Sequence, residues 1–437
     1  MNTTKKRIFF TFANKIALSV LGLVSSVLIA RYLGVDQRGV YNDATVYASV
    51  YAAFFGGFGS FVPYAITRLK LKVNSVQTVA NFFLACVSIL TVLCLPVGFM
   101  LHKISLEYQV LSIPYLLIAA PFIMGFGFFS RLLQGLNEIE KLNKANIAQN
   151  IAFLVLTAFA FFFMRNHSDY YKLNLILALW AISNVISFFY SVYLSRRACD
   201  ITLAAKWDGE TGRQMLGFGS NIAVGNLIER VNYRADYFMV DLLHRQKSIY
   251  GISVTASEVM NFVAGTVTSV IYTKISGAEA VESQQVTARV FRITAIVSLL
   301  IGICGVLLSG LIPIVYSRKY AGAVAPFTIL VFGVALYGLN TIFTTYFTNQ
   351  LSKPRIAIYL DMTAIVVNVA ACYLLIPRLD LIGAAIGSFL GYGSECLLAM
   401  FLFLKSSNMR FVDLVWMSKE DWNLIFRMTQ RRKSKDR

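Results

Sequence analysis

Hydrophobic residues run along this chain in twelve long segments that are separated by short polar turns. Each segment has about 20 residues or more, which is the length an α-helix needs to cross the hydrocarbon core of a bilayer. The pattern therefore predicts an all-α polytopic membrane protein with twelve transmembrane helices. The predicted helices span residues 8–30, 40–66, 79–101, 110–131, 146–164, 173–194, 217–242, 248–273, 292–313, 324–347, 356–376 and 382–404.

The longest connection lies between the sixth and seventh segments. It covers residues 195–216 and is polar and basic. We expect it to be a cytoplasmic linker between an N-terminal six-helix bundle, residues 1–194, and a C-terminal six-helix bundle, residues 217–404. Residues 405–437 mix tryptophan and aliphatic residues with a basic run, which predicts a basic amphipathic cytoplasmic tail.

The two halves resemble each other in sequence. The chain reads ARYLGVDQRGVYNDATVYASVYAAFF after the first segment and MVDLLHRQKSIYGISVTASEVMNFV after the seventh, so that Tyr41 aligns with Tyr250. Because each half has an even number of predicted helices, both halves would enter the membrane in the same direction, as parallel repeats. This arrangement predicts a central cavity between two bundles.

The seventh segment carries two arginines near its middle, Arg230 and Arg234. A charge at the centre of a membrane helix costs roughly 2.5–3.5 kcal/mol, so both should face protein or water rather than lipid. At about 100° per residue they share one stripe with other polar side chains. The stripe consists of Asn226, Arg230, Arg234, Tyr237 and Asp241. Two interpretations stay open here: a cationic wall along a substrate pathway, or a structural network in which Arg230 pairs with Glu229 or Asp236.

Three further charges are candidates for function. Lys15 lies in the first predicted helix and either joins the cationic lining or extends to the membrane interface. Glu258 lies in the eighth and is either an ion-coupling or proton-coupling carboxylate or a counter-charge to the arginines. Asp236 is the second candidate for ion coupling, because its protonation can be linked by charge to the arginines beside it.

The 40 Lys and Arg residues give the chain a net charge of +18. If the N-terminus lies in the cytoplasm, most of them fall in cytoplasmic loops, which is the positive-inside pattern of membrane proteins. The charge therefore needs no nucleic acid partner, and we expect both termini in the cytoplasm. A mean hydropathy of +0.63 with only 14% charged residues excludes an ordinary soluble protein.

Signatures of enzyme chemistry are missing from the sequence. It has no GxxxxGK[ST] phosphate-binding loop, and its cysteines and histidines lack metal-ligand spacing. We expect no cofactor, no bound metal and no catalytic residue, and predict that the chain is not an enzyme. A lipid-linked sugar polymerase or membrane glycosyltransferase is the enzyme alternative, and the short outer loops weigh against it.

The stretch NKIALSVLGLVSSVLIARYLGVDQRGVYN, with ADYFMVDLL and SIYGISVTAS at the start of the second half, resembles a known family. It is similar to the polysaccharide transporters of the multidrug/oligosaccharidyl-lipid/polysaccharide superfamily, and most of all to the Wzx-type O-antigen or capsular repeat-unit flippases. The resemblance implies two six-helix bundles around a cavity. It also implies that the protein flips undecaprenyl-pyrophosphate-linked oligosaccharide across the bacterial inner membrane by alternating access.

Matched onto this chain, the resemblance implies a cationic lining for the pyrophosphate and a polar lining for the sugar. The expected substrate-binding residues are Lys15, Asn226, Arg230, Arg234 and Tyr237. We expect a monomer whose partners are the lipid-linked oligosaccharide, the bilayer, a polysaccharide polymerase and a chain-length regulator. A multidrug or organic cation exporter of the same superfamily is the alternative, and the net positive stripe favours an anionic substrate instead.

Overall fold

The structure, a computed structural model, describes residues 3–105, 111–202, 204–258, 260, 280–351 and 353–416. Within these ranges the chain forms helices and connecting turns and no β-strand. Nine helical stretches of the described residues are long and apolar enough to cross a membrane. The predicted all-α membrane fold is therefore confirmed.

Fifteen α-helices are described, and two short 3₁₀ turns, Ser309–Leu311 and Arg318–Ala323, accompany them. The helices are α1 Thr3–Gly59, α2 Phe61–Thr67, α3 Val73–Leu93, α4 Leu95–Ser105, α5 Ser112–Gly135, α6 Ile139–Phe163, α7 Asp169–Arg196, α8 Gly209–Leu242, α9 Lys247–Ser257, α10 Ala280–Leu307, α11 Ile312–Val315, α12 Val324–Asn349, α13 Arg355–Leu379, α14 Leu381–Ser407 and α15 Phe411–Val415.

The first two predicted helices are joined in α1, which turns sharply at Gly34. Gly34 has φ +77° and ψ −171°, a backbone conformation that glycine adopts without the steric cost of a Cβ atom. The turn lies between predicted segments 8–30 and 40–66, so Gly34 is the non-helical residue at which one predicted helix ends and the next begins. In the eighth predicted helix, 248–273, residues 259 and 261–273 lie outside the described residues.

The helix that carries the arginine stripe is longer than predicted. Helix α8 begins at Gly209, eight residues before the predicted start at 217. The backbone N–H of Thr211 donates a hydrogen bond to Asp208 Oδ2 at 3.0 Å, which satisfies one of the free amides at the helix N-terminus. Hydrogen bonds from Thr211 also lower the pKa of Asp208. This cap explains why the helix starts inside the polar linker.

The described residues pack into two compact units. Unit 1 contains the chain up to Tyr237 together with residues 246–255 and 311–323, and unit 2 contains the remainder. Two short segments from the second half of the sequence are thus part of unit 1. The core of unit 1 between α1, α5, α6 and α7 is built from fully or nearly fully buried apolar side chains. They include Ile29, Tyr32, Leu173, Ile176, Leu177 and Trp180.

The core of unit 2 is aromatic. Phe343, Phe347 and Phe403 are buried at its centre, and Leu414 of α15 packs into the same cluster with no exposed surface. Arg292 also donates a hydrogen bond to the carbonyl oxygen of Asp413. The start of the predicted amphipathic tail is therefore part of the packed unit, and residues 417–437 lie outside the described residues.

Glycines spaced four residues apart allow α14 to approach α13 closely, as small residues do between membrane helices. A Cβ atom on Gly383 would lie 2.5 Å from the backbone of Leu375, and one on Gly391 would lie 2.8 Å from Asn368 Cβ. The backbone at these positions has no room to move aside. This spacing explains why the sequence keeps glycine on that face of α14.

We expect Gly383→Ala to lower the stability of unit 2, because overpacking a close contact costs about 1–3 kcal/mol. The change can be measured as a lower unfolding temperature of the purified protein in detergent. Gly393→Ala is the matched control, since a Cβ at that position would lie 3.8 Å from its nearest neighbour, Leu336 Cδ1. Equal unfolding temperatures for the two variants would contradict this account of the contact.

Candidate functional site

The predicted stripe of α8 lies within unit 1 up to Tyr237. Arg230 and Arg234 are half-buried, and each guanidinium lies over the ring of Tyr233, with Cζ 5.9 Å and 5.1 Å from the ring centroid. Such cation–π contacts orient an arginine without neutralising its charge. One aromatic ring thus holds two positive charges side by side on the same helix.

Asn226 joins α8 to α1. Its Nδ2 donates a hydrogen bond to the carbonyl oxygen of Ala53 at 3.2 Å. The two helices are very close at this level, because a Cβ on Gly57 would lie 2.3 Å from the backbone of Ala223. Asn226 is half-buried and contributes to this helix contact.

Tyr237 and Asp236 belong to a group of buried side chains that joins α1, α8 and α9. We call Asp43, Asp236, Tyr237, Lys247 and Tyr250 the buried polar cluster. Lys247 Nζ lies 2.7 Å from Asp43 Oδ2, and the Tyr237 hydroxyl donates to Asp43 Oδ1 at 2.9 Å. The Tyr250 hydroxyl donates to Asp236 Oδ2. A lysine and two carboxylates are therefore enclosed together with hydrogen-bonding tyrosines.

A fully buried arginine lies in the same unit. Arg38 is 2% exposed and donates to the carbonyl oxygen of Ser26 at 2.7 Å and to Ser26 Oγ at 2.8 Å. Its Cζ lies 5.9 Å from the ring centroid of Tyr316. Its Nε has no hydrogen-bond partner among the described residues. Arg38 thus couples the two limbs of α1, on either side of the Gly34 turn, to the segment 311–323.

Two predicted site residues remain, Lys15 and Glu258. The side chain of Lys15 lies outside the described residues, while its neighbour Asn14 is buried and donates to Asn143 Oδ1 at 3.1 Å. Glu258 is half-buried just after α9 and belongs to unit 2, whereas the described stripe residues up to Tyr237 belong to unit 1.

The sequence did not single out Asp43, Lys247 or Tyr250 as site residues. One signal was available, since Tyr250 is the repeat counterpart of Tyr41. A second was the pairing of a carboxylate at the end of one predicted span with a lysine in a predicted outer loop. This pair is Asp43 and Lys247. Neither residue belongs to a periodic polar stripe, so the pattern along the chain did not single it out.

The fold is similar to that of solved transporters of the MOP superfamily and of a lipid flippase. An inward-facing multidrug resistance MATE family transporter of this superfamily superposes with a TM-score of 0.74 at 15% identity, over 89% of this chain and 94% of that one. The lipid II flippase MurJ in an inward closed conformation gives 0.67 at 14% identity, over 91% and 90%. A MOP superfamily transporter from Pyrococcus furiosus gives 0.62 at 14% identity, over 92% and 94%.

Residues 4–286 match the family described as polysaccharide biosynthesis protein, and the chain belongs to that family. No curated protein sequence matches the chain significantly. The family match confirms the predicted resemblance to a polysaccharide family, and the fold agrees with the predicted similarity to MOP superfamily structures. The solved proteins with this fold are transporters and a flippase.

Proposed function

We propose that this protein flips undecaprenyl-pyrophosphate-linked oligosaccharide from the cytoplasmic to the outer leaflet of a bacterial inner membrane by alternating access. The product would feed O-antigen, capsule or exopolysaccharide assembly. The family match supports a role in polysaccharide biosynthesis, and the fold supports transport. The lipid-linked substrate is proposed because the arginines of α8 suit its pyrophosphate group.

The observation that carries the proposal is the pair of half-buried arginines on Tyr233. A pyrophosphate offers several anionic oxygens, and guanidinium groups bind such oxygens through short, charge-assisted hydrogen bonds. Two arginines one helical turn apart can contact both phosphates of one head group. Half-burial strengthens these contacts, because a site removed from bulk water screens charge less.

The other stripe residues have different proposed roles. Tyr237 is 3% exposed and donates to Asp43, so we assign it to the buried polar cluster that supports α8. Asn226 is engaged with Ala53, so a contact with the sugar would use the half-exposed remainder of its side chain. Arg230 and Arg234 are the principal proposed ligands, with Lys15 as the third cation that the sequence suggests.

The polarity of the stripe also separates this proposal from drug export. A cavity for organic cations needs carboxylates and aromatic rings, whereas the half-buried face of α8 presents two arginines. For the Pyrococcus furiosus transporter, reverse polarity of the binding pocket is taken to suggest a different function. Pocket polarity is therefore a reasonable guide to substrate in this fold.

A transport assay under a pH gradient tests proton coupling, and it also distinguishes between an oligosaccharide lipid and an organic cation as the substrate. In proteoliposomes with a pH gradient, we expect wild-type protein to move a prenyl-pyrophosphate-linked oligosaccharide, and not an organic cation, to the opposite leaflet. Asp236→Asn and Glu258→Gln should each remove the dependence of the rate on the gradient, because neither amide can take up a proton in this range. The rate is measured as the loss of glycan protection from an external oxidant.

Glu210→Gln, at an exposed position in the first turn of α8, is the control for removing a carboxylate. Gradient-dependent transport that survives both Asp236→Asn and Glu258→Gln would exclude these two residues from coupling. Gradient-driven accumulation of the organic cation, without movement of the oligosaccharide lipid, would overturn the flippase proposal.

A further inference from the structure

A second cationic feature lies at the end of unit 1 that the predicted topology places outside the membrane. A cleft of about 680 Å³ opens there between the Gly34 turn of α1 and residues 313–320. Three of its lining residues are cationic, namely Arg31, Arg318 and Lys319. We call this the outer cationic cleft. It is separate from the arginine pair of α8 and none of the predicted site residues lines it.

The wall of the cleft is held in place by Arg31. Its Nε and Nη2 donate to the carbonyl oxygens of Val315 and Ile314 at 2.7 Å and 2.8 Å, which joins α1 to the segment 311–323. Tyr320 is 1% exposed and donates to the carbonyl oxygen of Ala30 at 3.2 Å from the same side. The cleft is therefore built on fixed contacts rather than on loose surface side chains.

The charges in the cleft are available for a ligand. Arg318 and Lys319 are exposed, and neither side chain forms an ion pair with a residue of the described chain. The buried Arg38 lies behind this wall, with its Cζ 5.9 Å from the ring centroid of Tyr316. The described residues that line the cleft include three cations and no carboxylate, which favours an anionic ligand.

An apolar track leads along α1 to the cleft. Ile16, Val20 and Val24 are 46%, 53% and 43% exposed. At 100° per residue they share with Arg31 one face of the helix about 80° wide. On the other wall Ile314 is 67% exposed. A cationic cleft at the end of an uncovered apolar stripe matches an amphipathic molecule with an anionic head and a hydrocarbon chain.

We propose that the outer cationic cleft binds the pyrophosphate head group of a prenyl lipid, with the prenyl chain lying along the exposed stripe of α1. The cleft would hold the substrate lipid at the outer leaflet after it leaves the arginine pair of α8. This inference rests on the proposed function for the identity of the lipid. The cationic lining and the apolar stripe of the cleft by themselves indicate a phosphate carried on a membrane lipid.

The test is equilibrium binding to the purified full-length protein. The probes are a short-chain prenyl pyrophosphate, phosphatidylglycerol in mixed micelles, and inorganic pyrophosphate. In an Arg230→Ala/Arg234→Ala background, which lacks the proposed α8 site, we expect Arg318→Gln/Lys319→Gln to weaken prenyl pyrophosphate binding roughly tenfold to thirtyfold, since each cation near a lipid phosphate contributes about 1 kcal/mol. Inorganic pyrophosphate should compete poorly, because it lacks the chain.

The matched control is Arg165→Gln/Arg378→Gln, which removes two exposed arginines from other predicted outer loops. An equal loss of affinity in this control would attribute the effect to general charge and overturn the site. Cleft-dependent binding of phosphatidylglycerol alone would overturn the prenyl pyrophosphate assignment, and effective competition by inorganic pyrophosphate would overturn the role of the apolar stripe.

The two proposals fail in different ways. If Arg318→Gln/Lys319→Gln leaves binding unchanged in the Arg230→Ala/Arg234→Ala background, while variants of Arg230 or Arg234 lose transport, the outer site is wrong and the flippase proposal stands. If wild-type protein binds no prenyl pyrophosphate and transports no oligosaccharide lipid, the proposed function itself is wrong.

Discussion

Replacing Arg230 or Arg234 with alanine is expected to abolish most export of surface glycan while the protein remains in the membrane at its normal level. Each arginine is proposed to make charge-assisted hydrogen bonds to the pyrophosphate, and such bonds contribute about 1.5–3 kcal/mol each. The rate should fall roughly tenfold to a hundredfold per residue. Surface glycan is measured in cells that lack the chromosomal gene, together with protein abundance in isolated membranes.

Two controls separate binding from folding. Arg213→Ala removes an exposed arginine near the start of the same helix and should leave export unchanged. Arg230→Lys and Arg234→Lys keep the charge but lose the planar, two-pronged geometry of the guanidinium, so partial export is expected. If the alanine variants instead disappear from the membrane, the arginines belong to a structural network and the proposed site loses its main support.

The second large effect is expected at the buried pair of Asp43 and Lys247. Asp43 is 2% and Lys247 is 9% exposed, and their charged atoms lie 2.7 Å apart. Removing one partner leaves the other charge buried without compensation, which costs about 3–5 kcal/mol. Asp43→Asn and Lys247→Met should therefore each lower the free energy of unfolding by about this amount, measured in detergent with increasing denaturant.

The double variant Asp43→Leu/Lys247→Met should recover much of this loss, because two apolar side chains leave no unpaired charge. The comparison is the more exposed pair of Asp169 and Lys172, whose charged atoms lie 3.5 Å apart and whose side chains are 66% and 18% exposed. Asp169→Asn should change the stability by less than about 1 kcal/mol. A double variant as unstable as the two single variants combined would show that the pair is not the source of the effect.

Several features of this protein follow from its sequence alone. The segment lengths and hydropathy determine an all-α membrane protein, because a span must satisfy its own backbone hydrogen bonds and only a helix does so within one segment. Arg230 and Arg234 stand out because charge inside an apolar segment is costly and local periodicity puts them on one stripe. The family resemblance follows from the same stretches and is confirmed by the match over residues 4–286.

Side-chain partners were decided only by the tertiary structure. Lys247 meets Asp43 across 204 positions of sequence, and Tyr237 meets Asp43 across 194. Arg31 reaches Ile314 across 283 positions and so builds a cleft that no pattern along the chain indicates. Helical periodicity specifies which face of a helix a residue occupies, because it depends on near neighbours. Periodicity carries no information on which distant helix covers that face. The strength of a buried charge pair depends on the distance between the two charges in space, which only the tertiary structure gives.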